Sequence, residues 1–283
     1  MESRKLNNGV EMPPIGFGVF RISNLRVCRQ VVEDAIDVGY RLIDTASVYG
    51  NESAVGAAVQ SSNVPRRELF LTTKLWVQDA GYDKAMRAVE SSLNNLKTDY
   101  LDLYLIQRPC GDVYGAWRAM EELHEQGVLR AIGVSNFESA RLVDLVLNNR
   151  ICPAVCQVEC HPFYQQSGAI DIMREYGIQP EGWAPFAEGK HGIFTLPLLT
   201  KIGARYGKSA AQVVLRWNIQ RGVVVIPKST HRNRMEQNID IFDFTLTDEE
   251  MQAIGTLDRG ETLFGRNDDP NYAKMINSVN IHG

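Results

Sequence analysis

The chain has 283 residues and a net charge of −4, from 30 lysines and arginines against 34 aspartates and glutamates. Its 44% hydrophobic content is ample for a packed core and argues against disorder, and the balance of charge lacks the basic imprint of a nucleic-acid partner. No apolar run approaches the roughly 18–20 residues of a membrane helix, and five cysteines at this length are no disulfide scaffold, so a collagen, a coiled coil, a small secreted module and a membrane protein are excluded.

The opening Met-Glu-Ser-Arg-Lys runs straight into patterned sequence, so no signal peptide is expected. The odd cysteine count fits a reducing cytoplasm. Lys5-Leu6-Asn7-Asn8-Gly9-Val10 reads as a β-hairpin with an Asn-Gly turn. Short apolar runs rich in β-branched and aromatic residues then recur at 15–19, 41–43, 69–72, 101–106, 131–134, 154–158, 179–183 and 223–226, and read as strands. Between them, apolar residues at steps of three and four predict helices over 26–38, 81–96, 113–125, 138–148, 167–176 and 209–220. Gly39, Gly127 and Gly177 supply stops.

Strand, helix, strand, repeated, is the pattern of a parallel sheet with crossover helices. Eight repeats in about 250 residues suit a closed (β/α)8 TIM barrel. The rival, a doubly wound open sheet, usually announces itself with a Gly-rich phosphate turn after its first strand. Here Gly16-Phe17-Gly18 continues Val-Phe-Arg, with no third glycine in place. The expected organisation is one barrel over 1–283, with 1–14 as a hairpin over the end opposite the active site and 258–283 as a C-terminal tail.

In such a barrel, functional residues follow the strands on the C-terminal rim. Asp44 and Tyr49 follow the second strand, Lys74 the third, Gln107 and Arg108 the fourth, and Ser135 and Asn136 the fifth. Gln157 ends the sixth, Trp183 the seventh, and Lys228-Ser229-Thr230 follow the eighth. A free tyrosine, with a pKa near 10, is a poor proton donor at neutral pH. An adjacent ammonium lowers that pKa, and an aspartate paired with the ammonium keeps it charged and oriented. Asp44, Tyr49 and Lys74 together make an engine for giving a proton to a developing alkoxide. Singly, each has a plainer reading: a turn cap, a turn entering a helix, a solvated charge.

The segments Leu42-Ile43-Asp44-Thr45-Ala46, Tyr49-Gly50-Asn51-Glu52, Thr72-Thr73-Lys74-Leu75-Trp76, Gly133-Val134-Ser135-Asn136-Phe137, Gln157-Val158-Glu159-Cys160-His161-Pro162 and Ile226-Pro227-Lys228-Ser229 resemble the signatures of the aldo-keto reductases, in order, from about residue 5 to residue 260. The likeness is to the short-looped microbial members, which reduce small aldehydes, dicarbonyls and diketo sugar acids. It implies an (α/β)8 barrel, reversible hydride transfer from NADPH to a small carbonyl, and a monomer or weak dimer. It makes Tyr49 the general acid, tuned by Lys74 and Asp44. Ser135, Asn136 and Gln157 become the hydrogen-bonding set for the nicotinamide carboxamide, and Trp183 the aromatic that stacks on the ring. It further places Gly18, Val19, Ala184, Pro185 and Phe186 against the cofactor, and Gln237 and Asn238 at adenine. Lys228, Ser229, Thr230, Arg232 and Arg234 concentrate three cations and two hydroxyls, a composition that suits a 2′-phosphate. Cations at a helix start are disfavoured by the dipole unless an anion is present.

One position departs from the family pattern. Leu105-Ile106-Gln107-Arg108-Pro109 stands where relatives read Leu-Ile-His-x-Pro. A glutamine amide can donate a hydrogen bond to a carbonyl, but it is longer, more flexible and never cationic. Three consequences are open: a slower carbonyl reductase, reduction of a conjugated C=C bond, or a cofactor-binding protein with little turnover. Arg108 reads equally as a selector of acidic substrates and as a surface charge. Phe20 and Trp76 are candidate pocket walls, and Trp117 reads as core. Cys152, Cys156 and Cys160 with His161 mimic a metal set, but 154–158 reads as a strand, not the helix that would put the thiols on one side, and no second Cys/His pair completes a zinc set, so no metal is expected.

Overall fold

The computed structural model describes residues 3–266 and 269–282. The chain begins with two short strands, β1 (Arg4–Lys5) and β2 (Glu11–Met12), paired antiparallel around the turn at Asn8-Gly9. Gly9 takes φ +88°, a left-handed value that an Asn-Gly turn needs. Leu6 and Met12 are buried with Leu42, Phe70, Leu103, Ala131 and Ala154. Asn7 and Asn8 donate to the carbonyls of Pro153 and Arg130, 2.9 Å each. These partners lie at the starts of barrel strands, so the hairpin plugs the N-terminal end.

The barrel follows. Its strands are β3 (Gly16–Gly18), β4 (Leu42–Asp44), β5 (Phe70–Leu75), β6 (Leu103–Ile106), β7 (Ile132–Ser135), β8 (Val155–Glu159), β9 (Gln179–Trp183) and β10 (Val224–Val225). Each pairs in parallel with its sequence neighbours in the order β3 to β10. A parallel bridge from Ile15 to Val225 brings the last strand back to the first, and Gly18 N–H donates to Pro227 O at 3.1 Å across the same seam. The eight-stranded parallel barrel expected from the repeat pattern is therefore the observed architecture.

Helices α1 (Leu25–Val38), α2 (Glu52–Ser61), α3 (Tyr82–Leu96), α4 (Val113–Glu125), α5 (Ser139–Leu147), α6 (Ser167–Glu175), α7 (Pro197–Tyr206), α8 (Ala210–Gln220) and α9 (Arg232–Ile239) pack outside. Two more, α10 (Asp248–Gly255) and α11 (Pro270–Ser278), follow. Their buried faces join the outward residues of the strands in the main core, while Leu42, Leu103, Leu105, Val155, Val224 and Ile226 fill the barrel itself. Among the described residues, no helix is long and apolar enough to cross a membrane.

The sequence reading ends the third barrel strand at Thr72, but β5 runs on to Leu75. The added residues Thr73 and Lys74 are polar, yet buried, because each has a partner: Thr73 Oγ1 donates to Glu52 at 2.7 Å and Lys74 to Asp44 at 2.6 Å. Lys74 therefore lies inside a strand rather than after one, and Asp44 and Ser135, expected just after theirs, are the last residues of β4 and β7, because their side chains too are buried. The Cys156 thiol is enclosed within β8, where burial pushes it up to about 12, so this sulfur is an inert packing group.

Candidate active site

The site is built at the C-terminal end of the barrel. In a parallel pair, residues side by side point to the same face. Gly18, Asp44 and Thr72 share one such row, and Lys74 and Leu105 another. Inside, Lys74 is 1% exposed and Asp44 2%. Lys74 Nζ donates to Asp44 Oδ1 at 2.6 Å and to the carbonyl of Thr45 at 2.8 Å. Burial works against the charge on Lys74, but Asp44, Tyr49 and Glu181 outweigh it, leaving the ammonium above its ordinary pKa.

Tyr49 closes a short 3-10 turn, Ser47–Tyr49, ended by Gly50 at φ +65°. Side chains pin this loop. Ser47 donates to Lys74 O at 3.0 Å, and Asn51 donates to Val19 O and Ile22 O at 3.0 and 3.2 Å. Thr45 in turn donates to Asn51 Oδ1 at 2.8 Å. The result sets the Tyr49 ring centroid 5.2 Å from Lys74 Nζ. The sequence reading expects the ammonium to lower the phenol's pKa. The ammonium does pull in that direction, but burial is larger and the net displacement is upward. The hydroxyl is thus held as an intact acid at neutral pH.

Gln157, 2% exposed on β8, reaches across the barrel. Its Nε2 donates to Asp44 Oδ2 and to Glu181 Oε2, both at 2.9 Å. Glu181 is a residue that sequence reasoning missed. It is fully buried on β9, and burial, then the Asp44 charge, push its carboxyl up to about 8, against the Gln157 hydrogen bond and Lys74. The available signal was its place two residues before Trp183 on a strand, and so on the same inward face.

Ser135, Asn136 and Trp183 form the adjoining wall. Asn136 adopts φ +62°, and its Nδ2 donates to Gln107 O and Ser135 Oγ, 2.9 Å each. Trp183 Nε1 donates to Asn136 Oδ1 at 2.9 Å. Ala184 at φ +49°, then Pro185 and Phe186, lead the chain away from this wall. Gly18 and Val19 are buried at the opposite side, with Val19 N–H donating to Asp44 O at 3.2 Å.

Gln107 directly follows β6 and is 8% exposed; its Oε1 is buried without a hydrogen-bond partner among the described residues. The Arg108 guanidinium lies 5.4 Å from the Tyr272 ring centroid, and its charge reaches Tyr49, where it favours the phenolate. Phe20 is 48% exposed and stands 4.9 Å from the Tyr49 ring, centroid to centroid. Trp76 is nearly buried beneath the tail, its indole donating to Val279 O at 3.1 Å. Trp117 is fully buried.

The tail folds onto this rim. Trp76 and Val77 cluster with Ile276, and Tyr272, Ile281 and Cys110 pack beside them. Glu159, bonded to His161 at 2.9 Å, accepts from Leu263 N–H at 2.9 Å and from the Thr262 hydroxyl. That clamp sets Phe264 5.2 Å from Trp183, ring to ring. Neither Glu159 nor His161 figures among the sequence-derived site residues. Tail positions 267 and 268 lie outside the described residues.

Beyond β10, Lys228, Thr230 and Arg234 are exposed around the start of α9, with Ser229 buried and bonded to the His231 backbone. Arg232 is engaged by Asp34, Asp37 and Glu236. Among the described residues, no carboxylate lies within ion-pair distance of Lys228 or Arg234, so these two cations face outward together with the positive end of the helix. Gln237 is exposed and Asn238 buried one turn further on.

Comparison with known proteins places the chain in a family. Residues 14–259 match the model described as "Aldo/keto reductase family". The chain is 47% identical over 266 residues to the glyoxal reductase of Bacillus subtilis, covering 94% of this chain and 95% of that one. It is 40% identical over 262 residues to methylglyoxal reductase DkgA of Escherichia coli K12, covering 92% and 94%. The crystal structure of a Bombyx mori aldo-keto reductase in complex with NADP superposes with a TM-score of 0.89 at 35% identity, covering 97% of each chain. With a matched model across most of its length and relatives this similar, the chain belongs to the aldo/keto reductase family.

Proposed function

We propose that the protein reduces small carbonyls, with glyoxal-type dicarbonyls foremost, to alcohols at the expense of NADPH. The observation that carries this reading is the sealed Lys74–Asp44 pair beneath Tyr49, flanked by the Ser135–Asn136–Gln157–Trp183 wall. The names of the two bacterial relatives and of the NADP-bound structure support the substrate class and the cofactor.

The residues present fit the cofactor. Both protons of the Gln157 amide are committed to carboxylates, so its oxygen is the atom left to accept from a ligand amide. Ser135 and Asn136 supply further polar atoms beside it, and Trp183 the flat wall that holds a planar ring. Gly18, Val19, Ala184, Pro185 and Phe186 line the approach. Lys228 and Arg234, with Thr230, offer a dianionic 2′-phosphate charge-assisted hydrogen bonds that a free 2′-hydroxyl cannot use, while the Ser229 hydroxyl holds the turn at His231 against which that phosphate would lie. Gln237 and Asn238 stand where adenine would lie. Bound NADPH supplies the hydride to the carbonyl carbon.

The chain's own residues do the rest. Tyr49 gives its proton to the carbonyl oxygen as negative charge develops there, and Lys74 steadies the phenolate that remains. Asp44 keeps the ammonium charged and in place. Gln107 orients the carbonyl through its amide N–H, and Phe20 and Trp76 bound the pocket with Arg108 at its mouth. A second reading, a cofactor binder with little turnover, is favoured by one observation alone, the neutral Gln107 in the place of the family's histidine.

Tyr49→Phe is expected to lower the rate of NADPH oxidation with glyoxal or methylglyoxal by about 10²–10⁴-fold, the usual scale of a positioned proton donor, with NADPH affinity by fluorescence quenching unchanged; retained turnover would remove Tyr49 from the chemistry. Lys228→Ala combined with Arg234→Ala should weaken NADPH far more than NADH, and equal losses would overturn the 2′-phosphate assignment. Gln107→His should raise carbonyl reduction by about an order of magnitude or more. Quenching by NADPH without oxidation of it, in wild type and in Gln107→His alike, would favour the binder.

A further inference from the structure

We propose that Glu181 is a positioning residue of the proton-delivery site: it holds the Gln157 side chain in one orientation, and its charge state governs how readily Tyr49 gives up its proton. The second half of this statement rests on the reductase reading; the first half does not.

Glu181 lies beside Gln157 on β8 and Val224 on β10, so all three point into the barrel, where Glu181 has no solvent exposure. Gln157 Nε2 bridges Glu181 Oε2 and Asp44 Oδ2 at 2.9 Å each. An amide nitrogen has two protons, and both are used. With the Glu181 proton on Oε1, its Oε2 faces Gln157 as an acceptor, so turning the amide over would place its carbonyl oxygen against two acceptor oxygens and leave all three without donors, a costly arrangement out of water. Glu181 thus fixes which atom Gln157 turns toward a ligand.

Charge makes the second half. Asp44 from β4 and Lys74 from β5 are the charged groups acting on Glu181, with Tyr49 beyond Lys74; β8 offers the neutral Gln157 and β10 the apolar Val224. The single ammonium is already held by Asp44 and Thr45 O. Two buried carboxylates bridged by a neutral amide cannot both ionise cheaply. Glu181 keeps its proton to about pH 8. Its Oε1 has no partner among the described residues, which suits a neutral carboxyl better than a charged one. Below that pH the site holds one carboxylate and one ammonium, and Lys74 acts on Tyr49 at full strength. Above it a second negative charge enters, the pull of the still-charged Lys74 on Tyr49 is partly offset, and Tyr49 becomes a weaker acid. Reduction should therefore slow as Glu181 ionises.

Glu181→Gln keeps an oxygen acceptor for Gln157 and stays neutral at every pH, whereas Glu181→Leu removes both acceptor and charge. For the wild type, kcat/KM for methylglyoxal reduction is expected to fall about fivefold or more between pH ~7 and ~9, while Glu181→Gln stays within about twofold. NADPH Kd should be near wild type in Glu181→Gln and about tenfold weaker in Glu181→Leu, the scale of one lost hydrogen bond. Infrared spectra of the whole protein should show a protonated-carboxyl band that fades between pH ~6 and ~9 and is absent from Glu181→Gln. Superposable pH profiles, or no such band, would overturn the charge role; unchanged NADPH affinity in Glu181→Leu would overturn the orienting role. Should the leucine variant not fold, the orienting role is judged by Glu181→Ala together with Glu181→Gln, the alanine variant's Kd being expected to weaken and the glutamine variant's to hold. If no carbonyl is turned over by the wild type, the reductase reading fails, while the infrared band and the NADPH affinities still judge Glu181.

Discussion

A single ion pair, Lys74 with Asp44, organises this protein's working end. It lies at 2.6 Å inside the barrel, almost sealed from water. Removing one partner of such a pair costs about 3–5 kcal/mol, because the other charge is stranded. The surroundings therefore have to satisfy most of the remaining lone pairs and protons, and they do so in sequence. Thr45 O takes a second proton of Lys74, Gln157 takes the second oxygen of Asp44, and Glu181 takes the second proton of Gln157. The Tyr49 loop is tied to the same frame through Ser47 and Asn51.

This chain of contacts joins two tasks that are chemically separate. One end, Tyr49 over Lys74, is the one we propose delivers a proton. The other end, the outward oxygen of Gln157 beside Ser135 and Asn136, is the one we propose reads a ligand amide. Because Gln157 bonds directly to Asp44, the residue that would orient the cofactor is mechanically part of the residue set that tunes the acid. Rigid strands, rather than loops, carry most of these atoms, which suits reacting groups that must meet within a few tenths of an ångström. The tail completes the rim from outside, with Glu159 clamping residues 262 and 263 so that Phe264 rests against Trp183.

Much of this was legible in the sequence because apolar strands separated by amphipathic helices leave a strong periodic trace. The eight strands, the plugging hairpin and the rim positions of Asp44, Tyr49, Ser135 and Trp183 all follow from it. The trace fails where burial is polar. The sequence pattern of strand β5 stops at Thr72 because Thr73 and Lys74 look like surface residues until Glu52 and Asp44 are placed beside them. Helix α2, small and alanine-rich, and helix α9, polar along most of its length, have little apolar rhythm to detect. Glu181 sits between a proline and a glycine, and its one local signal is its place two residues before Trp183 on the same strand. The direction of the Tyr49 displacement is hidden from the sequence for a related reason: charges are visible there, but depth is not, and here depth is the larger effect.

The most direct test of this account is the titration of Tyr49 itself, followed by NMR of isotope-labelled tyrosine in the wild type and in Lys74→Met. If the ammonium opposes burial as described, its loss moves the Tyr49 midpoint upward by about one unit or more. A midpoint that stays in place, or moves down, would contradict the claim that Lys74 acts on this phenol.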